Sequence, residues 1–139
     1  MVAAVFFCGA CMAQTVSIVN SGSTNTAGFR IVVEKSGDAE YTAQPRRFPI
    51  GRSESPRTIR KALPKTLAGR LYSDVKAAQP LSALPERHCV KSVSFGTRLT
   101  IETEGDVSPD LSCGDGGNEK LKALIRDADE IVKVFQDAR

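Results

Sequence analysis

Between Phe29 and Glu34 the chain alternates: Ile31 and Val33 fall on one side, Arg30, Val32 and Glu34 on the other. That period of two is the mark of a strand with one wet face. Ser36-Gly37-Asp38 is a turn signal, and Ala39 to Ala43 return as a second strand, which predicts a β-hairpin over 29–44. From Pro64 to Gln79 the period lengthens. Leu67, Leu71 and Val75 recur four apart with Ala68 and Tyr72 beside them, one apolar stripe of a helix that Pro80 stops. Residues 90–104 read as strand again, with Val90, Val93, Phe95, Leu99 and Ile101 as apolar members and a bulge or bend at Gly96. Gly105-Asp106 turns the chain, and VSPDLSC is expected to return as a short strand. After GDGGN comes the strongest helical pattern of the chain: Leu121, Leu124, Ile125, Ala128, Ile131, Val132 and Phe135.

The segments between have no such period. NSGSTNTAG (20–28) is turn-rich, and residues 14–28 are expected to be a flexible spacer. Residues 45–61 carry three prolines and read as an irregular connection. The elements predict an α+β domain over 29–139, an antiparallel sheet of about four strands with two helices packed on it. FRIVVEKSGD (29–38) and TRLTIETEGD (97–106) also echo each other, Arg30 over Arg98, Glu34 over Glu102, Gly37-Asp38 over Gly105-Asp106. The echo raises a ββαββα order built by duplication; strand-Gly-Asp is also common in unrelated hairpins.

Composition fits one globular domain. The chain has 139 residues, 41% hydrophobic and 25% charged, with aromatics at 6% and no Trp, so its core must rest on Val, Ile, Leu and Ala. Met1 to Cys11 hold no charge, are too short to span a bilayer, and end in small residues at Ala13. Residues 1–13 therefore read as a signal peptide cut after Ala13, and no transmembrane segment is expected. No Lys or Arg precedes the apolar run, so either the start lies upstream or the signal is atypical. Cys8-Gly9-Ala10-Cys11 could be a redox pair, but it lacks the preceding strand and following helix that lower a thiol pKa. A lipid-anchored Cys11 is a third reading; Cys8 stands where such a signal usually has Leu. The expected location is secreted or periplasmic.

Export changes how the remaining cysteines read. Cys89 and Cys113 most simply form a disulfide. Metal is the alternative, and His88-Cys89 with Cys113 lacks a partner pair at zinc spacing. His88 is the one histidine, so hydrolytic chemistry would have to use it, with Ser92, Ser94 and Asp110 nearby; no G-x-S-x-G elbow is present. GDGGN (114–118) could offer backbone N–H groups to an anion or could simply enter the helix with Asp115 or Asn118 as cap. No cofactor is implied.

Charge is unevenly spread. Residues 46–70 hold Arg46, Arg47, Arg52, Arg57, Arg60, Lys61, Lys65 and Arg70 against Glu54 alone, whereas 101–139 hold ten acids and five bases. The basic segment could contact an anionic cell-surface polymer or acidic protein through Arg46, Arg47, Arg52, Arg57, Arg60 and Lys61. The favoured reading is a solvated loop whose arginines partly pair with the acidic helix. No aromatics interleave for base stacking, which argues against nucleic acid.

The strings C-V-K-S-V-S-F-G-T (89–97) and S-P-D-L-S-C (108–113) resemble a set of small uncharacterised secreted bacterial proteins that share C-x-K-S-x-S-F-G-T followed by S-P-D-L-S-C. The likeness spans roughly residues 25–135. It implies export and the disulfide and carries no activity. The combined expectation is a small exported, non-enzymatic binding domain; the alternatives are a secreted hydrolase near His88 and a polyanion-binding protein.

Overall fold

Ile18, Ile31 and Ile101 have no solvent exposure and lie side by side on three adjacent strands, Ile31 and Ile101 each directly opposite Ile18. The row continues through Tyr41 to Ile59, so one apolar line crosses five strands. The computed structural model describes residues 14–44 and 56–137. Among them, six strands form one antiparallel sheet: β1 (Thr15–Asn20), β2 (Phe29–Glu34), β3 (Asp38–Ala43), β4 (Thr58–Ala62), β5 (Leu99–Thr103) and β6 (Asp106–Val107), in the order β4-β3-β2-β1-β5-β6. Helices α1 (Lys65–Ala78) and α2 (Glu119–Gln136) cover one face.

The α+β class holds, with six strands rather than about four. Two were missed. Residues 15–20, expected within a flexible spacer, form β1 between β2 and β5, with Val16 and Ile18 in the core. A strand paired on both sides needs only short alternation, and VSIVN has it. Residues 58–62, expected as irregular connection, form the edge strand β4, whose alternating exposure follows the pleat.

The order ββαββα is also corrected, because four strands precede α1 and two precede α2. The hairpins β2-β3 and β5-β6 do exist, with Gly37 and Gly105 at positive φ as their turns require. Duplication does not account for them. β2 and β5 run in the same direction, both antiparallel to β1, yet β3 and β6 lie on opposite sides. Laying one hairpin on the other reverses the sheet's faces, while both helices occupy one face.

On that face Leu67, Leu71 and Val75 of α1 and Leu121, Leu124, Ile131 and Phe135 of α2 are buried, and Phe29, Tyr41 and Phe135 stack at 5.3 and 5.6 Å. Pro64 sits just before α1 and its carbonyl accepts from the Leu67 and Ala68 N–H groups. Asn118 caps α2, Oδ1 accepting from the Leu121 N–H at 3.0 Å. The far end of α1 is tied to the sheet: the Leu81 and Ser82 N–H groups donate to the Asp106 carboxylate at 2.6 and 2.9 Å. The other face is polar, and Arg30 reaches across β1 to Glu102 at 2.9 Å.

Candidate functional site

One segment departs from the strand pattern expected of it. Of residues 90–104 only Leu99–Thr103 form strand, while 85–98 form a loop at the Asn20 end of β1. Of the five apolar residues assigned to that strand, Leu99 and Ile101 are in β5, with Ile101 buried, but three are on the loop's surface: Val90 is 103% exposed, Val93 91% and Phe95 66%. Their spacing imitates a strand. The interposed Ser92, Ser94 and Gly96 make a turn instead, in which the Gly96 N–H donates to the Ser92 carbonyl at 2.7 Å. A Cβ at Gly96 would lie 2.4 Å from that oxygen, so the turn admits only glycine.

The loop is held firmly. Cys89 and Cys113 form the disulfide, with Cα atoms 5.4 Å apart. Two residues on, Lys91 Nζ donates to the Asp110 carboxylate, to the Thr97 carbonyl at 2.8 Å and to Ser112 Oγ at 2.6 Å. All three ammonium protons are thereby used. Asp110 Oδ1 accepts from the Leu99 N–H at 3.1 Å, the Ser112 N–H at 3.0 Å and Ser112 Oγ at 2.7 Å. Burial pushes the Asp110 carboxyl up, but Lys91, Ser112 and the Leu99 N–H outweigh it and hold its pKa at about 2. Lys91 and Ser112 are thus a charged donor and its acceptor around a fixed carboxylate. On the other flank the Asn25 N–H donates to the Ser94 carbonyl at 3.0 Å, the Ser21 N–H to the Arg98 carbonyl at 2.9 Å and Ser23 Oγ to the Ser94 carbonyl at 2.7 Å.

Behind the loop lies an open cleft of about 390 Å³ whose lining includes Arg87, His88, Lys91, Arg98 and Asp110. His88 and Asp110 share it, but the hydrolytic set is not assembled. The His88 side chain is 88% exposed and lies 3.6 Å from Glu86, Asp110 is engaged by Lys91, and Ser92 Oγ accepts from the Phe95 N–H. In GDGGN, Asn118 is the cap; Asp115 Oδ1 accepts from the Gly117 N–H at 2.7 Å, and the Arg87 guanidinium packs where a side chain on Gly116 would be.

The basic segment is divided by the pleat. Arg46, Arg47 and Arg52 lie outside the described residues. Arg57 is exposed ahead of β4. Arg60 and Lys61 are neighbours on a strand and point to opposite faces: Arg60 pairs with Glu40 at 2.6 Å, and Lys61 donates to the Val134 carbonyl at 2.9 Å, 5.9 Å from the Phe135 ring centre. Arg70 turns inward to Asp127 and Glu130, both at 2.7 Å.

Asp127 is the charged residue that sequence reasoning passed over. It has no solvent exposure, though its position three after Leu124 and four before Ile131 lies in the phase of the buried stripe. An acid in that phase, with Arg70 next to Leu71 on α1, was the available signal. Among the described residues no helix is long and apolar enough to cross a membrane. No known family model matches the chain, and no curated protein is significantly similar to it.

Proposed function

We propose that the protein is a small exported binding domain whose contact surface is the clamped loop 85–98. The observation that carries the reading is the contrast within this loop. Its backbone is fixed by a disulfide, a lysine-carboxylate clamp and bonds from residues 21–25, yet Val90, Val93 and Phe95 are left in solvent. Apolar side chains clustered on a surface favour association, and a loop ordered beforehand loses little entropy when it binds. The disulfide supports a site of action outside the reducing cytosol.

The test is site-specific photo-cross-linking from position 93 in an intact envelope or secretome fraction, with a cross-linker at exposed Ser82 as control. Adducts specific to position 93 and lost on Phe95→Ser are expected. Identical products from both positions would count against the assignment.

A further inference from the structure

We infer that the partner of this loop is an anionic lipid surface, with Val90, Val93 and Phe95 entering the apolar layer and Arg87 and Arg98 facing the headgroups. The inference rests on the binding-domain reading and narrows it to one occupant. The loop is a projecting turn: Val90 and Val93 have essentially their whole surface in solvent, so they offer no pocket wall for a complementary side chain. Such a tip suits a fluid apolar phase, which needs no matching shape.

Charge points the same way. Arg87 and Arg98 are exposed and make no ion pair among the described residues, Lys91 is matched by Asp110, and Glu86 is the one acid in 85–98. The basic side chains interleave in sequence with the apolar ones. Arg87, His88, Lys91 and Arg98 line the cleft together with Glu86 and Asp110, whereas Val90, Val93 and Phe95 do not. With Lys91 matched by Asp110, Arg87 and Arg98, unpaired among the described residues and beside an apolar tip, are complementary to an anionic headgroup above acyl chains, since basic residues at such a surface add to apolar insertion.

The chain contains no tryptophan, so Phe95→Trp installs a single fluorescent reporter at the tip. In the full chain, vesicles of phosphatidylglycerol mixed with phosphatidylcholine should shift its emission to the blue, and brominated acyl chains should quench it. Val93→Ser with Phe95→Ser should weaken vesicle co-sedimentation at least about tenfold, and Arg87→Gln or Arg98→Gln about fivefold each, with weaker dependence on salt. Circular dichroism of each variant establishes that it folds. The inference is overturned if the reporter is unmoved by vesicles, even where the chain co-sediments through another segment, or if the serine variant binds vesicles as well as the parent. Vesicle silence with a Phe95-dependent protein adduct from position 93 ends the lipid inference and leaves the binding-domain reading standing. Silence in both experiments ends both.

Discussion

Arg70 extends from α1 to bring Nε within 2.7 Å of Oδ1 of Asp127, a carboxylate on α2 with no solvent exposure. The same guanidinium reaches Glu130 at 2.7 Å, and Arg126 supplies a second contact to Asp127 at 3.2 Å while holding Asp74 at 2.8 Å. The joint between the helices is therefore an ionic cluster set in an apolar interface. A buried ion pair contributes little net stability, but removing one partner leaves the other charge without compensation. Arg70→Ala should destabilise the fold, though less than breaking a fully buried pair would, because Arg70 is partly exposed and Arg126 remains. In chemical denaturation, the further loss on adding Asp127→Ala should be much smaller than Asp127→Ala causes alone. Additive effects would show that the two residues do not act together.

The cluster also titrates in an unusual direction. Burial raises the Asp127 carboxyl above its ordinary value, and the neighbouring Asp74 carboxyl adds to the rise, against the pull of Arg70 and Arg126. Oδ2 of Asp127 has no hydrogen-bond donor among the described residues, so a proton there meets no competitor. A folded pKa above the unfolded value means the native state holds the proton more tightly. Its stabilisation is complete below about pH 4 and fades as pH rises through the folded pKa. The stability of the parent relative to Asp127→Asn should thus decline as pH rises from about 4. Urea midpoints over a pH series measure this, and a parent that gains stability relative to Asp127→Asn as pH rises would contradict it.

Asp110 has the opposite sign. Its pKa is held at about 2, so its contribution is present above the unfolded value near 4 and is lost as pH falls through about 2. The clamp is worth about 2 kcal/mol on that shift. Lys91→Met removes the ammonium and should raise the Asp110 pKa toward the ordinary range, which a carbon-13 carboxyl titration reads directly. The Leu99 N–H, which donates to Asp110, should then exchange faster in mild acid than in the parent. An unchanged titration curve would show that Lys91 does not set the carboxylate's state.

These details explain what the sequence could and could not show. The helices were legible because their stripes are long: eighteen residues of α2 repeat the period several times, and one polar intruder does not erase it. β1 and β4 were hidden because six and five residues give little periodic signal, and β4 is an edge strand with basic residues on both faces. The loop at 90–98 was misread for a physical reason. Val90, Val93 and Phe95 look like core residues to any argument that sends apolar side chains inward, and here the disulfide and Lys91 fix the backbone independently of their burial. The bridge itself was legible because reading Cys8 and Cys11 as part of a signal segment leaves Cys89 and Cys113 as the one remaining pair. The Lys91–Asp110–Ser112 clamp was only half legible: its groups stand in the strings C-x-K-S-x-S-F-G-T and S-P-D-L-S-C, but nothing in either string says that residues about twenty apart meet.

The two restraints on the loop can be separated. The disulfide closes a segment of 24 residues containing β5 and β6, and on chain-entropy grounds its loss should cost about 3 kcal/mol. Most of that acts on the unfolded chain, so Cys89→Ser with Cys113→Ser should lower the melting temperature while Lys91 still holds Thr97 and Asp110. Lys91→Met alone leaves the bridge and should loosen only the turn. Removing both restraints should release it, giving fast amide exchange across 90–97, whereas Ile18, Ile31 and Ile101 stay protected because their pairing does not pass through the loop. Exchange measured by mass spectrometry on the three variants resolves the order. If the disulfide variant alone frees 90–97, the lysine clamp contributes nothing to the loop's rigidity, and the bridge alone presents Phe95.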